Sequence, residues 1–350
     1  MSKIKVAVLA ATGAVGQRFV QLLENHPWFE VAALTGSDRT IGQTYQEGCR
    51  WILNSPMPEY AKKMKVIPTE PGLDAPLCFS ALPADLAREV EPAFAKAGHF
   101  IASNASAHRM WNDVPLLIPE VNPDHTALVK AQQKNRGWSG FITTNPNCTS
   151  TGFTISLRPL LDNFGIKRIF AVSMQALSGA GYPGVASLDA IDNVVPYIGG
   201  EEGKVETEPQ KMLGKLNGGD VIHADFKISA HTNRVAVTDG HVVCASVELN
   251  QKVPPSAVAE AFADFQPPEI VRGLPSSPKV TIEVKSEADR PQPRKDRDAG
   301  GGMTTVVGRV REDPLFDVKY VVLSHNTIRG AAGGSLLNAE LMVAQGLISG

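Results

Sequence analysis

The stretch Ile4-Lys5-Val6-Ala7-Val8-Leu9-Ala10-Ala11-Thr12-Gly13-Ala14-Val15-Gly16 decides the fold. Its near-continuous apolar run from Ile4 to Leu9 has the composition of a parallel strand buried on both faces. It leads into a turn holding Gly13 and Gly16, then into apolar residues at helical spacing: Phe19, Leu22 and Leu23. In that context of strand, glycine turn and helix, the glycines let the backbone approach a pyrophosphate resting on the helix N-terminus. The first glycine of the usual pattern is Ala10 here, so a plain tight βα turn stays open as the other reading.

Further along, a second strand from Glu30 to Leu34 ends in Thr35-Gly36-Ser37-Asp38-Arg39, where such folds read the adenosine ribose. Asp38 suits a 2′-hydroxyl and hence NAD; Ser37 and Arg39 suit a 2′-phosphate and hence NADP. The paired hydrogen bonds of a guanidinium to phosphate favour Arg39 and NADP, with Asp38 keeping NAD open. Leu77 to Leu82 and Phe100 to Ser103 read as strands around a helical run, Asp85 to Ala97. Pro115 to Pro119 and Gly140 to Thr144 read as the last strands of this parallel sheet. Arg109, in the polar stretch Asn104 to Arg109, is free to face a cleft.

The 350 residues suit two domains, or one carrying a large insertion. A net charge of −2, with 43% hydrophobic and 20% charged residues, argues against nucleic acid or a membrane surface as the main partner. The basic run Arg290 to Arg297, interleaved with Asp289, Asp296 and Asp298, reads as a solvated loop or subunit contact. Four scattered cysteines without a Cys-x-x-Cys pair are neither a disulfide framework nor a metal knuckle, and fit a reducing compartment. No His/Cys/carboxylate spacing resembles a metal ligand set. The strand pattern begins within three residues of Met1, with no room for a signal segment, and no apolar run approaches the ~18 residues of a membrane span. A cytoplasmic protein is expected.

The chemistry falls to Thr143-Thr144-Asn145-Pro146-Asn147-Cys148-Thr149-Ser150-Thr151-Gly152. Phe153, Leu157, Leu160 and Leu161 give the residues after Cys148 a helical spacing. Cys148 therefore belongs at a helix N-terminus, where unpaired N–H groups and the helix dipole favour a thiolate, a candidate covalent nucleophile. The segment alone fits a small buried residue capping a core helix equally well.

Beyond it, Ile169 to Ala176 reads as a strand, Ser178 to Gly184 as a glycine-rich loop and Val185 to Val195 as a helix. Pro209 suggests a break in a further helical run. Asp239-Gly240 between the alternating stretches Arg234 to Thr238 and His241 to Leu249 is a strong hairpin signal. A two-residue loop would put Arg234 and His241 on one face, about 13 Å apart at Cα, able to bracket a small anion. Met303 to Val310 and Val318 to Leu323 complete a mostly antiparallel second domain. Small residues from Gly330 to Gly334 let a final helix, through Leu336, Leu337, Leu341 and Leu347, start close against a cofactor or the first domain. His26, His99, His125 and His223 read as surface residues, and His108 and His325 as structural. His231 is the one competitor to His241.

Eight segments in register resemble aspartate-semialdehyde dehydrogenase, in its fungal and archaeal branch. They are Ala11 to Gly16, Ser103-Asn104-Ala105, Asn147-Cys148-Thr149, Gln175 to Gly184, Pro196 to Glu202, Asn233 to His241, Arg290 to Arg294, and Ser324 to Thr327. The resemblance spans the chain and implies an α/β fold. A Rossmann-like NADP-binding domain with a mostly parallel sheet would take residues 1–147 and 326–350. An α+β catalytic and oligomerisation domain with a mostly antiparallel sheet would take 148–325.

It further implies Cys148 as nucleophile, His241 as general acid/base and Gln175 as the residue orienting the reacting carbonyl. Arg234 would hold a substrate carboxylate, Glu201 an ammonium, and Arg109 and Lys204 a phosphate. Thr12, Gly13, Ala14, Val15, Ser37, Arg39, Ser80, Ser178, Gly179 and Asn326 would contact NADP. The implied reaction is NADPH-dependent reductive dephosphorylation of 4-phospho-L-aspartate, in a homodimer or a tetramer of paired dimers. Its oxyanion needs donors, for which the backbone N–H of Cys148 and the side chain of Asn147 are candidates. An archaeal-type malonyl-CoA reductase is the alternative, but it has no use for an ammonium-binding Glu201 beside Lys204. A catalytically dead nucleotide-binding sensor is a second, disfavoured by Cys148, Gln175, Arg234 and His241 standing together.

Overall fold

The computed structural model describes residues 2–349. Six parallel strands form the first sheet: β1 (Ile4–Leu9), β2 (Phe29–Thr35), β3 (Val66–Ile67), β4 (Leu77–Ser80), β5 (Phe100–Ser103) and β6 (Phe141–Thr144). They lie in the order β3-β2-β1-β4-β5-β6. The order reverses between β1 and β4, which opens a crevice at their carboxyl ends, where ligands bind in such sheets. Val6, Val8, Leu77 and Phe79 are buried in this core, as the apolar runs require.

The second sheet is mixed. It contains β7 (Ile166–Gln175), β10 (Lys227–Arg234), β11 (His241–Leu249), β12 (Ile282–Lys285), β13 (Thr305–Glu312) and β14 (Val318–Ser324), in the order β10-β7-β11-β14-β13-β12. A small hairpin, β8 (Lys215–Asn217) and β9 (Asp220–Ile222), stands apart. The pairs β7/β11, β11/β14 and β13/β14 are antiparallel, and β10/β7 and β12/β13 parallel.

The helix Cys148–Phe164 packs against this second sheet, with Phe153, Ile155, Leu157 and Leu160 in a core shared with Ile169, Val247 and Tyr320. The last helix, Gly333–Ala344, returns to the first sheet, where Leu336, Ala339 and Met342 join Val6 and Val8.

Several expectations are corrected. Asp239-Gly240 does not join a hairpin, because β7 lies between β10 and β11. After Arg234 the chain continues beside Gln175 to Ser178, with the Val235 N–H donating to the Gln175 carbonyl at 3.0 Å and the Leu177 N–H to the Val237 carbonyl at 2.7 Å. It then crosses the end of β7 to enter β11. Asp-Gly favours a tight reversal but does not choose the neighbouring strand, which is set by the apolar face of β7.

Pro115 to Pro119 makes a single bridge, Leu116 to Thr144, since prolines at both ends supply no ladder N–H. Val185 to Val195 holds one helical turn, Ser187–Ala190. Conversely, the helix Glu201–Met212 runs through Pro209, and the Leu213 N–H still reaches the Pro209 carbonyl at 2.9 Å.

His26, His99 and His125 are buried, while His223 is exposed. His26 donates from Nε2 to Glu340 at 2.9 Å, its Nδ1 being taken by the Trp28 and Phe29 N–H groups. In the basic run Arg290 is ion-paired with Asp296, which is buried rather than solvated.

Candidate active site

Asn147 ends the turn after β6 and caps the helix that Cys148 opens. Its Oδ1 accepts from the N–H groups of Thr149 at 3.0 Å and Ser150 at 3.1 Å. These bonds satisfy orphan donors of the first turn and fix where the sulfur points. Cys148 is half-buried and lines an open cleft with Ala14, Arg109, Gln175, Lys204 and Arg234. Gly330 approaches so closely from behind that a Cβ there would fall 2.8 Å from the Cys148 Cα.

His241 opens β11, and its Nε2 lies 3.2 Å from the Cys148 sulfur. Its Nδ1 accepts from the Ala176 N–H at 3.0 Å, and the Ala176 carbonyl accepts from Arg234 Nη1 at 2.7 Å. One peptide residue at the end of β7 thus holds both cation-capable side chains. They converge as expected, but through β7 and not through a hairpin. His231 sits exposed on the edge strand β10, away from the sulfur. Gln175 is buried at the end of β7, with its Nε2 donating to Ser173 Oγ at 3.2 Å.

The electrostatics correct the expected thiolate. Burial and the Glu201 carboxylate push the Cys148 thiol up to about 12, against the downward pull of Arg109, Arg234 and Lys204. Burial, Arg234 and His325 hold His241 at about 3. Both shifts favour a neutral thiol beside a neutral imidazole over an ion pair.

Glu201 is buried at the start of its helix. Its carboxylate takes Lys204 Nζ at 2.7 Å and Asn147 Nδ2 at 3.0 and 2.8 Å. Burial would raise this carboxyl, but Lys204, Asn147 and Gln175 bring it below its ordinary value. The Asn147 side chain is thereby engaged at both ends, so it is not a free oxyanion donor. The backbone N–H of Cys148, at the open end of the helix, is the remaining donor the sequence offered.

Arg109 is buried and fully oriented. Nε donates to the Asn145 carbonyl at 2.9 Å, Nη2 to the Asn104 carbonyl at 2.9 Å and Nη1 to Glu208 at 3.0 Å. Glu208 and Lys211 escaped the sequence reading. Glu201, Lys204, Glu208 and Lys211 do share a helical face by spacing, but a break at Pro209 hides it.

At the crevice of the first sheet, Gly13 caps the helix Ala14–Leu22 without a side-chain bond, leaving first-turn N–H groups for an anion. A Cβ at Gly16 would fall 2.3 Å from the Ala10 carbonyl oxygen, so helix and strand meet closely there. Ala10 has φ +56°, the left-handed conformation of the glycine it replaces. Ser37 and Arg39 are exposed just beyond β2, with Asp38 between them. Thr12, next to Gly13, accepts Gln17 Nε2 on its carbonyl at 2.9 Å.

Val15, Ser178, Gly179 and Asn326 border the same cleft as Cys148, and Asn326 Nδ2 donates to Ser178 Oγ at 2.8 Å. Ser80, in contrast, is fully buried at the end of β4, near the Glu91 carboxyl. These glycine-turn features fit a dinucleotide pyrophosphate. Among the described residues, no group of three or more His, Cys, Asp or Glu is placed to hold a metal ion, and no helix is long and apolar enough to cross a membrane.

Residues 5–129 match a family model described as semialdehyde dehydrogenase, NAD binding domain, and residues 157–329 one described as semialdehyde dehydrogenase, dimerisation domain. The chain is 53% identical to the aspartate-semialdehyde dehydrogenase of Archaeoglobus fulgidus over 347 residues, covering 99% of this chain and 100% of that one. The chain belongs to the aspartate-semialdehyde dehydrogenase family. It is 44% identical to the Saccharomyces cerevisiae member, over 99% of this chain and 100% of the other. A crystal structure of the Candida albicans aspartate-semialdehyde dehydrogenase with NADP superposes with a TM-score of 0.91 at 40% identity, over 99% of this chain and all of that one. Members of the aspartate-semialdehyde dehydrogenase family are oxidoreductases, and this chain is one of them. Its fungal and archaeal relatives are those the sequence resemblance pointed to.

Proposed function

We propose that the chain catalyses the reversible, NADPH-dependent reductive dephosphorylation of 4-phospho-L-aspartate to L-aspartate 4-semialdehyde, through a thioester on Cys148. The observation that carries this is the 3.2 Å contact between the Cys148 sulfur and His241, in a cleft also lined by Arg109, Arg234, Lys204 and Glu201. The substrate carries a carboxylate, an ammonium and a phosphate. Arg234, Glu201 and the pair Arg109 and Lys204 match those charges in turn.

In the reductive direction the Cys148 thiol passes its proton to an oxygen of the substrate phosphate, which leaves as hydrogen phosphate, while its sulfur bonds to the β-carbonyl carbon. The tetrahedral oxyanion takes a hydrogen bond from the Cys148 N–H, and Gln175 orients the reacting carbonyl. Its collapse breaks the carbon–oxygen bond to phosphate, which leaves towards Arg109 and Lys204. When bound, NADPH supplies a hydride to the thioester carbon, which is a better acceptor than a carboxylate. Expulsion of the Cys148 sulfur, held by the His241 Nε2–H, then releases the aldehyde.

Thr12 to Val15, Ser37, Arg39, Ser178, Gly179 and Asn326 are proposed as the NADP contacts, whereas the Ser80 side chain is enclosed at the end of β4. Residues 1–147 and 326–350 would form the cofactor domain and 148–325 the catalytic and oligomerisation domain. A cytoplasmic homo-oligomer, a dimer or tetramer, serving synthesis of the aspartate-derived amino acids threonine, methionine and lysine is consistent with this reading.

The test is NADP reduction by aspartate semialdehyde with and without inorganic phosphate or arsenate, repeated with NAD. Dependence on the anion supports the proposal. Equal rates without it, or Cys148→Ala activity within tenfold of the parent, would overturn it.

A further inference from the structure

We infer that Glu208 is a positioning residue that aligns the phosphate-binding arginine and the nucleophile turn through one carboxylate. The inference rests on the functional reading above. Glu208 is only 2% exposed and is not among the residues lining the cleft. Its Oε1 accepts from Arg109 Nη1 at 3.0 Å, and its Oε2 accepts from the backbone N–H of Asn147 at 2.6 Å. Asn147 is the cap that fixes Cys148, and Arg109 faces the cleft. One side chain therefore ties the residue that would receive the phosphate to the residue that would displace it.

The helix carrying Glu208 holds each of the two partners once more. Glu201, two turns earlier, accepts from the Asn147 side chain. Lys211, one turn later, donates from Nζ to the carbonyls of Arg109 at 2.7 Å, Trp111 at 2.6 Å and Val114 at 2.9 Å. The arginine loop and the nucleophile turn are thus both clamped to the helix Glu201–Met212.

The geometry leaves Arg109 useful. A guanidinium has five N–H donors, of which Nε, Nη1 and Nη2 each spend one on Asn145, Glu208 and Asn104. One N–H remains on each Nη nitrogen, a pair suited to two phosphate oxygens. Glu208 sets the plane in which that pair lies. A glutamine has only one acceptor oxygen, so in either amide orientation its NH2 meets one of the two donors, Arg109 or the Asn147 N–H. The swap breaks the link wherever the amide settles.

The experiment measures KM for inorganic phosphate and for NADP in the oxidative direction, in the parent, Glu208→Gln and Glu208→Asp. Glu208→Gln raises the phosphate KM at least tenfold while the NADP KM stays within twofold. Glu208→Asp, which keeps both acceptors on a shorter arm, raises it three- to fivefold. A purely structural role predicts otherwise, and either a phosphate KM within twofold of the parent or phosphate and NADP constants rising together overturns the inference. Should Glu208→Gln melt below the assay temperature, Glu208→Asp carries the comparison by the same criteria. A parent that needs no phosphate overturns the functional reading and this role with it. A phosphate-dependent parent with an unmoved variant overturns the role of Glu208 alone.

Discussion

The backbone N–H of Ala176 donates to Nδ1 of His241, which leaves the hydrogen of the neutral imidazole on Nε2, 3.2 Å from the Cys148 sulfur. In this tautomer His241 donates towards sulfur. It supports a thiolate once formed, but takes up a proton only by giving up the Ala176 contact.

The first prediction concerns the thiol. With Cys148 pushed up to about 12, the thiolate fraction grows tenfold with each pH unit below that value. Alkylation of Cys148 by iodoacetamide in the free enzyme should therefore climb steadily from pH 6 to 9. A plateau reached by pH 7 would mean that a thiolate is already present.

Acid stability reports on His241 among several buried histidines, His325 and His125 being lowered by burial in the same sense. The folded value of about 3 for His241 lies below the ordinary 6.5, so between those values the unfolded chain holds a proton that the folded chain lacks. Stability from this group is present above pH 6.5 and is lost as pH falls, by about 1.4 kcal/mol per unit. Glu91, raised to about 7 chiefly by burial, acts in the opposite sense, its contribution fading as pH rises from 4.5 to 7. Melting curves of the parent and His241→Gln from pH 7 to 5 separate the two. The variant should lose less on acidification, and parallel slopes would exclude the assignment.

Gly179 packs directly against Arg234 and His241. A Cβ there would fall 2.9 Å from Arg234 Nη1 and 3.1 Å from His241 Nε2. Gly179→Ala must displace one of them and should lower kcat/KM by about 10- to 100-fold with little change in melting temperature. Steady-state kinetics beside a thermal melt decide it, and a fully active variant refutes the close packing.

Arg329 and Glu120 form a buried ion pair at 2.6 Å, with almost no exposure of either side chain. Arg329→Leu strands a buried carboxylate and should destabilise the fold by about 3–5 kcal/mol, read as a lower urea midpoint. Adding Glu120→Leu should recover most of that loss. If the double variant is as weak as the single, the pairing is not the cause.

Arg39 is the cofactor test. Arg39→Ser removes the guanidinium proposed for the 2′-phosphate and should raise the NADPH KM by about tenfold or more, leaving NADH within threefold. Equal effects on both cofactors would place the discrimination elsewhere.

The first sheet is legible because each of its signals is local: an apolar run, a glycine turn, a helical period. Cys148 is legible for the same reason, since an Asn cap and the spacing after it are enough to mark a helix start. What defeats the reading is long-range pairing. Asp239-Gly240 has the composition of a hairpin, yet a strand more than sixty residues earlier takes the place between its arms. Glu208 reads as surface charge on a helix until the loop carrying Arg109 is folded against it. The ionisation of Cys148 depends on burial and on Glu201, neither of which its own neighbours in sequence reveal.

Gly330 bears on how the molecule is made. The wall behind the reactive sulfur is supplied by backbone 182 residues further along the chain (330 − 148), so a polypeptide still under synthesis presents Cys148 without that wall. The pocket is finished only once Gly330 has left the ribosome and packed against the Cys148 backbone. A shortened or interrupted product accordingly carries the sulfur but has no competent centre around it.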